Sequence, residues 1–160
     1  MFDLAPDRTS NPGNPRNSEG AFLRLRDGRI AFAYSRYSGG SADDHAYAEI
    51  ACVFSSDEGE TFGDERILVR PDPDPAANET NCMSVSLMRM ANGDVGLFYL
   101  VKSSPTTSEY MLSRSADEGK TFYKHTLCSP ITRKGYYVVN NDRLIQLQNG
   151  RLIVPAALHP

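Results

Sequence analysis

The eight-residue phrase Ser-x-Asp-x-Gly-x-Thr-Phe occurs twice in this chain, at Ser55 to Phe62 and at Ser115 to Phe122, which sets Asp57 and Asp117 sixty residues apart. Each copy follows an apolar run of strand character. Self-similarity at such a period is the signature of a repeat architecture. The phrase itself specifies a turn: its Ser and Asp side chains can bond backbone groups within the bend, and its glycine permits a left-handed residue. It marks a scaffold and performs no chemistry.

A second periodicity runs in step with the first. Ala21 to Tyr34, Val85 to Tyr99 and Asp142 to Val154 each hold two strand-like runs around Asp27-Gly28, Asn92-Gly93 or Asn149-Gly150. Such dipeptides predict two-residue type I′ hairpin turns, with positive φ at both central residues. Third strands are expected at Glu49 to Ser55 and Glu109 to Ser115, just before the phrases. Fourth strands are expected at Glu65 to Arg70 and Tyr123 to Leu127, just after them. Each unit is then four antiparallel strands, and radial repetition of such sheets is the β-propeller plan. Pro71 to Ala77 reads as a proline-rich loop between units.

The expected fold is therefore all-β, with a first blade at about 18–70, a second at about 83–128 and the start of a third at about 140–160. Propellers use typically four to eight blades. Two and a half blades would leave strand edges and a core face open, so the expectation is the N-terminal portion of a longer protein. Assembly of short chains into a ring is the alternative.

Strand direction sorts the loops. If first strands run top to bottom, the hairpin turns and both phrases share the bottom. The top then collects the segments that enter first strands and those that follow second strands. Entering segments include Arg16 to Gly20, Asn81 to Ser84 and Asn140 to Arg143. Following segments are Ser35 to Ala46, Val101 to Ser108 and the tail around His159. Polar residues concentrate there, most densely in Arg36-Tyr37-Ser38-Gly39-Gly40-Ser41-Ala42-Asp43-Asp44-His45. A binding site is expected at this end, near the ring axis.

Composition narrows the function classes. The chain has 160 residues, 40% of them hydrophobic, and a net charge of −3 with Lys and Arg scattered. A nucleic-acid face has no compositional support. No stretch reaches the length of a membrane span, and residues 1–7 show neither a basic nor an apolar leader region. The expectation is a cytoplasmic protein, or a secreted one shown without its leader. Cys52, Cys82 and Cys128 form an odd set without close pairing, so neither metal nor disulfide is expected, and no cofactor.

The paired phrases, after hairpins of this kind at this spacing, resemble the Asp-box (BNR) repeats of the sialidases, or neuraminidases. The likeness covers nearly the whole chain and is closest from Ser18 to Phe62. It implies a six-bladed propeller and an exo-α-sialidase-like glycoside hydrolase that releases terminal sialic acid from glycans. In that family the loop after the second strand carries the acid/base aspartate. Carried over, this gives Asp44, with Asp43 as the close competitor, and Arg36 as an arginine facing the sugar carboxylate. One departure stands out. Ser18-Glu19-Gly20 occupies the place of the family's Arg-Ile-Pro, so Arg16 or Arg143 is expected to supply that contact, or the ligand is another sugar. Glu19, Asn141, Arg143 and His159 complete the candidate substrate-binding set. The remaining arginines and the family's Tyr/Glu nucleophile pair would come from later blades. The competing readings are a non-catalytic glycan-binding propeller and a propeller glycosidase acting on a different sugar.

Overall fold

The computed structural model describes residues 10–129 and 135–159, apart from the side chain of Glu19. Among these the protein is all-β, with no helix. Four strands form the first unit: β1 (Arg16–Arg24), β2 (Ile30–Tyr37), β3 (Ala48–Ser55) and β4 (Gly63–Val69). Four more form the second: β5 (Asn81–Arg89), β6 (Val95–Ser104), β7 (Thr107–Ser115) and β8 (Tyr123–Leu127). Neighbours within each unit pair antiparallel in sequence order. A single parallel bridge, Ala48 to Asn81, joins the third strand of one unit to the first of the next.

The next joint repeats this arrangement. Ser108, near the start of β7, uses its hydroxyl to accept from Tyr137 N and donate to Tyr137 O, both at 2.8 Å. Tyr137 belongs to a third hairpin in four short pieces: β9 (Tyr136–Val138), β10 (Ile145–Gln146), β11 (Leu152–Ile153) and β12 (Ala157–His159). β9 pairs with β12 and β10 with β11, so this hairpin extends from Tyr136 to His159.

Alternating side chains divide the cores. Ala31, Ala33, Ile50, Cys52 and Phe54 face the second unit and pack with Val85, Leu87, Leu97 and Tyr99. Phe98, Leu100, Tyr110 and Leu112 point the other way, onto Tyr137, Val139 and Leu144 of the third hairpin. β3 is buried along its whole length, and β4 and β8 are the exposed outer strands. Burial pushes the Cys52 thiol up to about 12, consistent with a small apolar residue in a strand.

The three hairpin turns are alike but differ from the sequence expectation. Gly28, Gly93 and Gly150 have φ of 91°, 92° and 84°, while the preceding Asp27, Asn92 and Asn149 are not left-handed. Gly28 N donates to Leu25 O and Leu25 N to Arg29 O, with equivalent pairs at Met90–Asp94 and Leu147–Arg151. This is a type I turn closed by a left-handed glycine bulge, not type I′. The physical reason is the Asx side chain. Asp27 Oδ1, Asn92 Oδ1 and Asn149 Oδ1 each accept the N–H two residues on, at 3.1, 3.2 and 3.1 Å, which favours the right-handed conformation before the glycine.

The doubled phrases form matching networks. In the first, Ser55 Oγ donates to Asp57 Oδ1 at 2.7 Å and accepts Gly59 N at 2.9 Å. Asp57 then accepts Thr61 N at 2.9 Å and Thr61 Oγ1 at 2.5 Å. Ser115, Asp117, Gly119 and Thr121 repeat every bond within 0.1 Å. Both carboxyls are held down to about 2, chiefly by the threonine bonds. Phe62 packs on the Tyr34–Ala51–Val53 face, and Phe122 enters the core between the units.

The phrases and the hairpin turns lie at one end. Arg24 is paired to Glu58 of the first phrase, at 2.5 Å. Glu118 of the second phrase takes Arg89 through two bonds, at 2.6 and 2.7 Å, and also accepts the Arg26 amide at 2.8 Å. Glu118 thereby ties the first hairpin to the second unit. The opposite end carries the loops discussed next.

Candidate functional site

At the other end, the loop between β2 and β3 folds over the entrance to β1. Ser38 N donates to Tyr47 O at 3.3 Å across its neck, and Ala46 N donates to Asp43 O at 2.8 Å within its tip. Asp43, Asp44 and His45 are exposed on that tip. The first residue of β1, Arg16, lies opposite Tyr37 in the sheet. Its guanidinium packs 4.6 Å from the Tyr37 ring centre and donates to Ala42 O at 3.1 Å. It also reaches Asp44 Oδ1 at 2.6 Å.

The electrostatic result is clear. The Arg16 guanidinium holds the Asp44 carboxyl below the usual aspartate range, against a smaller effect of burial, with Lys102 and His45 adding in the same direction. Asp44 is therefore the ionised partner of a cation in this state, and the pairing with Asp43 is not what sets its charge.

The second and third units supply the rest of this end. Lys102, in β6, is only 2% exposed. Its Nζ donates to Asp44 O at 2.9 Å and lies 5.4 Å from the Tyr136 ring centre. Asn81 Nδ2 donates to Ala46 O at 2.7 Å. The Tyr136 ring in turn has His45 at 6.1 Å and His159 at 6.3 Å, centre to centre. Arg16, Asp44, His45, Lys102, Tyr136 and His159 thus meet at one place, drawn from all three repeats. This arrangement can bind an anion and present sugar hydroxyls with donors, acceptors and an aromatic face.

Other sequence candidates sit elsewhere. Arg36 is on the opposite face of the first unit from Tyr37. It donates to Glu49 Oε1 at 2.8 Å and lies 3.4 Å from Glu65 Oε1, with Arg70 on the far side of Glu49 at 3.2 Å. Asn141 has a buried Oδ1 without a hydrogen-bond partner among the described residues, and Arg143 is exposed. Their segment is fixed through its amides: Asp142 N donates to Val85 O at 3.0 Å and Arg143 N to Ser86 Oγ at 3.2 Å. No contact among the described residues joins it to Asp44. The Glu19 side chain lies outside the described residues. A Tyr–Glu pair does occur, with Tyr34 OH donating to Glu65 Oε2 at 2.6 Å. Tyr34 is only 1% exposed and lies within the sheet face rather than at the loop end.

Lys102 and Tyr136 carry little signal in the sequence. Their only signal was position: Lys102 interrupts an otherwise apolar β6 near its upper end, and Tyr136 stands next to a buried tyrosine in a first strand.

No family model matches the chain, and no curated protein matches it in sequence. Solved structures do match its fold. The chain is similar to a Hadza microbial sialidase at 15% identity and a TM-score of 0.69, covering 89% of this chain and 32% of that one. It is similar at 13% identity and 0.68 to a protein of unknown function from Dyadobacter fermentans, covering 89% and 46%. The NanB sialidase from Streptococcus pneumoniae matches at 11% identity and 0.68, covering 98% and 43%. The chain has a sialidase-like fold and spans between about a third and just under half the length of these structures.

Proposed function

We propose that this chain is the N-terminal portion of a six-bladed, Asp-box sialidase-like propeller, and that the complete protein is an exo-α-sialidase-like glycoside hydrolase. The observation that carries the reading is the meeting of Arg16, Asp44, Lys102, Tyr136 and His159 at the loop end of a sialidase-like fold. The substrate is a sialylated glycan or a related glycoside, with the rest of the propeller supplied by a longer chain.

Asp44 is the proposed acid/base group, with Asp43 beside it as the competitor. In the free site Arg16 keeps Asp44 ionised, which is the form that accepts a proton. Donation to a leaving oxygen requires the pair to open. A substrate carboxylate competing for the Arg16 fork provides the means, because arginine binds carboxylates through two parallel bonds. Once uncovered, Asp44 loses the cation that depresses its proton affinity, and its carboxylate takes up a proton from water before donating it. Glycoside cleavage passes through an oxocarbenium-like transition state, in which a proton from such a carboxyl assists the departing oxygen. Asn141, Arg143 and Glu19 remain proposed contacts for sugar hydroxyls and the anion.

The same ion pair favours a second reading, a propeller that binds glycans without cleaving them, since Asp44 is not held protonated. A fluorogenic sialoside assay on the intact protein separates the two, with Asp44→Asn run in parallel. Turnover in the wild type and a loss of about 100-fold or more in the variant is expected for a lost acid/base group. Equal turnover in both removes Asp44 from the chemistry. Turnover of another glycoside and not of sialosides moves the substrate assignment to a different sugar.

A further inference from the structure

We propose that Lys102 is a positioning residue which, with Asn81, grips the main chain of the Asp43–His45 loop and so holds the Asp44 side chain at the rim of the site. The inference rests on the proposed role of Asp44 and goes beyond it, because it assigns control of the first unit's loop to the second unit.

Burial is the first argument. A lysine 2% exposed has left water, and a buried charge is retained only where something compensates it. No carboxylate among the described residues lies within ion-pair distance of its Nζ. Its contacts are the Asp44 carbonyl at 2.9 Å and the face of Tyr136. A strand designed only for packing would place an apolar residue here, as β6 does from Val95 to Val101.

Geometry is the second. Lys102 is paired opposite Asn81 across β5 and β6, so the two donors stand side by side. They hold two carbonyls of one loop: Lys102 takes that of Asp44, while Asn81 takes that of Ala46 and also reaches that of Asp44 at 3.4 Å. Asn81 also marks the single bridge between the two units. The loop is thus seated directly on the joint. Its main chain is fixed from below while the Asp44 carboxylate turns to Arg16. The charged groups around Asp44 are Arg16 from β1, His45 from the loop and Lys102 from β6.

The test needs no substrate, so its failure is distinct from failure of the glycosidase reading. Carboxyl-carbon NMR titration follows Asp44, and hydrogen exchange follows the Ser38 and Ala46 amides that close the loop. Lys102→Met keeps the aliphatic stem and removes the ammonium. The expected result is an upward move of the Asp44 midpoint and exchange faster by about tenfold or more, the size of a lost charge-assisted bond. Lys102→Arg, which keeps the charge, is expected to stay nearer wild type on the titration. A circular dichroism spectrum matching wild type at neutral pH reports that the fold is intact. Should Lys102→Met lose that signature, Asn81→Ala removes the second grip alone and is expected to accelerate the same amides. Unchanged midpoint and exchange in a folded Lys102→Met, or unchanged exchange in Asn81→Ala, overturns the proposal.

Discussion

Aspartate takes two different parts in this chain, and hydrogen bonding decides which. Asp57 and Asp117 are committed to their own turns, where hydroxyls and amides satisfy the carboxylate and hold it at about 2. Their folded pKa is depressed, so their contribution is complete above the ordinary aspartate value near about 3.9 and is lost as pH falls toward about 2. Acid unfolding is expected to steepen in that window, followed by circular dichroism against pH. Ser115 is fully buried and links Asp117 to the Gly119 amide. Ser115→Ala leaves that amide unpaired and is expected to cost about 1–3 kcal/mol in urea unfolding. Asp44 is instead paired with Arg16, from another element. Arg16→Gln is expected to raise the Asp44 midpoint toward the usual range, read by carboxyl NMR. The sequence showed the turn role of the phrases directly, because the Ser, Asp, Gly and Thr groups that close each turn lie within one eight-residue stretch. It did not show the Arg16–Asp44 pair, whose members are 28 residues apart and meet only through the fold.

At the scale of elements, the hairpins and the strand order were legible because period-two alternation and turn glycines are local signals. The turn class was misread for a local reason too: the dipeptide predicts I′, while the Asx side chain favours a type I turn with the glycine as bulge. Gly28 has φ of 91° and open space where a Cβ would stand, so Gly28→Ala tests backbone strain alone. The expected loss is about 1–2 kcal/mol by urea unfolding. Leu97 is fully buried in the core between the units, and Leu97→Ala is expected to cost about 2–5 kcal/mol. The joints between units escaped the sequence reading. Their polar links, the Ala48–Asn81 bridge and the Ser108 hydroxyl on Tyr137 among them, join residues far apart in sequence, and no periodicity announces them.

At the scale of the molecule, the sheets fan out and leave two apolar faces. Phe22 is 58% exposed beside Phe32 and Phe62 on one side, and Ile145 is 52% exposed on the other. Under the propeller proposal, further blades cover both. Phe22→Asp then destabilises the intact protein by about 2 kcal/mol or more, whereas an exposed site changes by no more than about 0.5 kcal/mol. Under the proposed function, direction along the fan also divides roles. Turns, phrases and their arginine–glutamate ties occupy one end, and the cationic cluster around Asp44 occupies the other. The most direct test of that division is NMR mapping of N-acetylneuraminic acid on the intact protein. The account predicts shifts at Arg16, Asp44, His45, Lys102, Tyr136 and His159, with Asp57 and Asp117 unmoved. Shifts centred on the two phrases and hairpin turns, or none at the Asp44 end at saturating sugar, would contradict it.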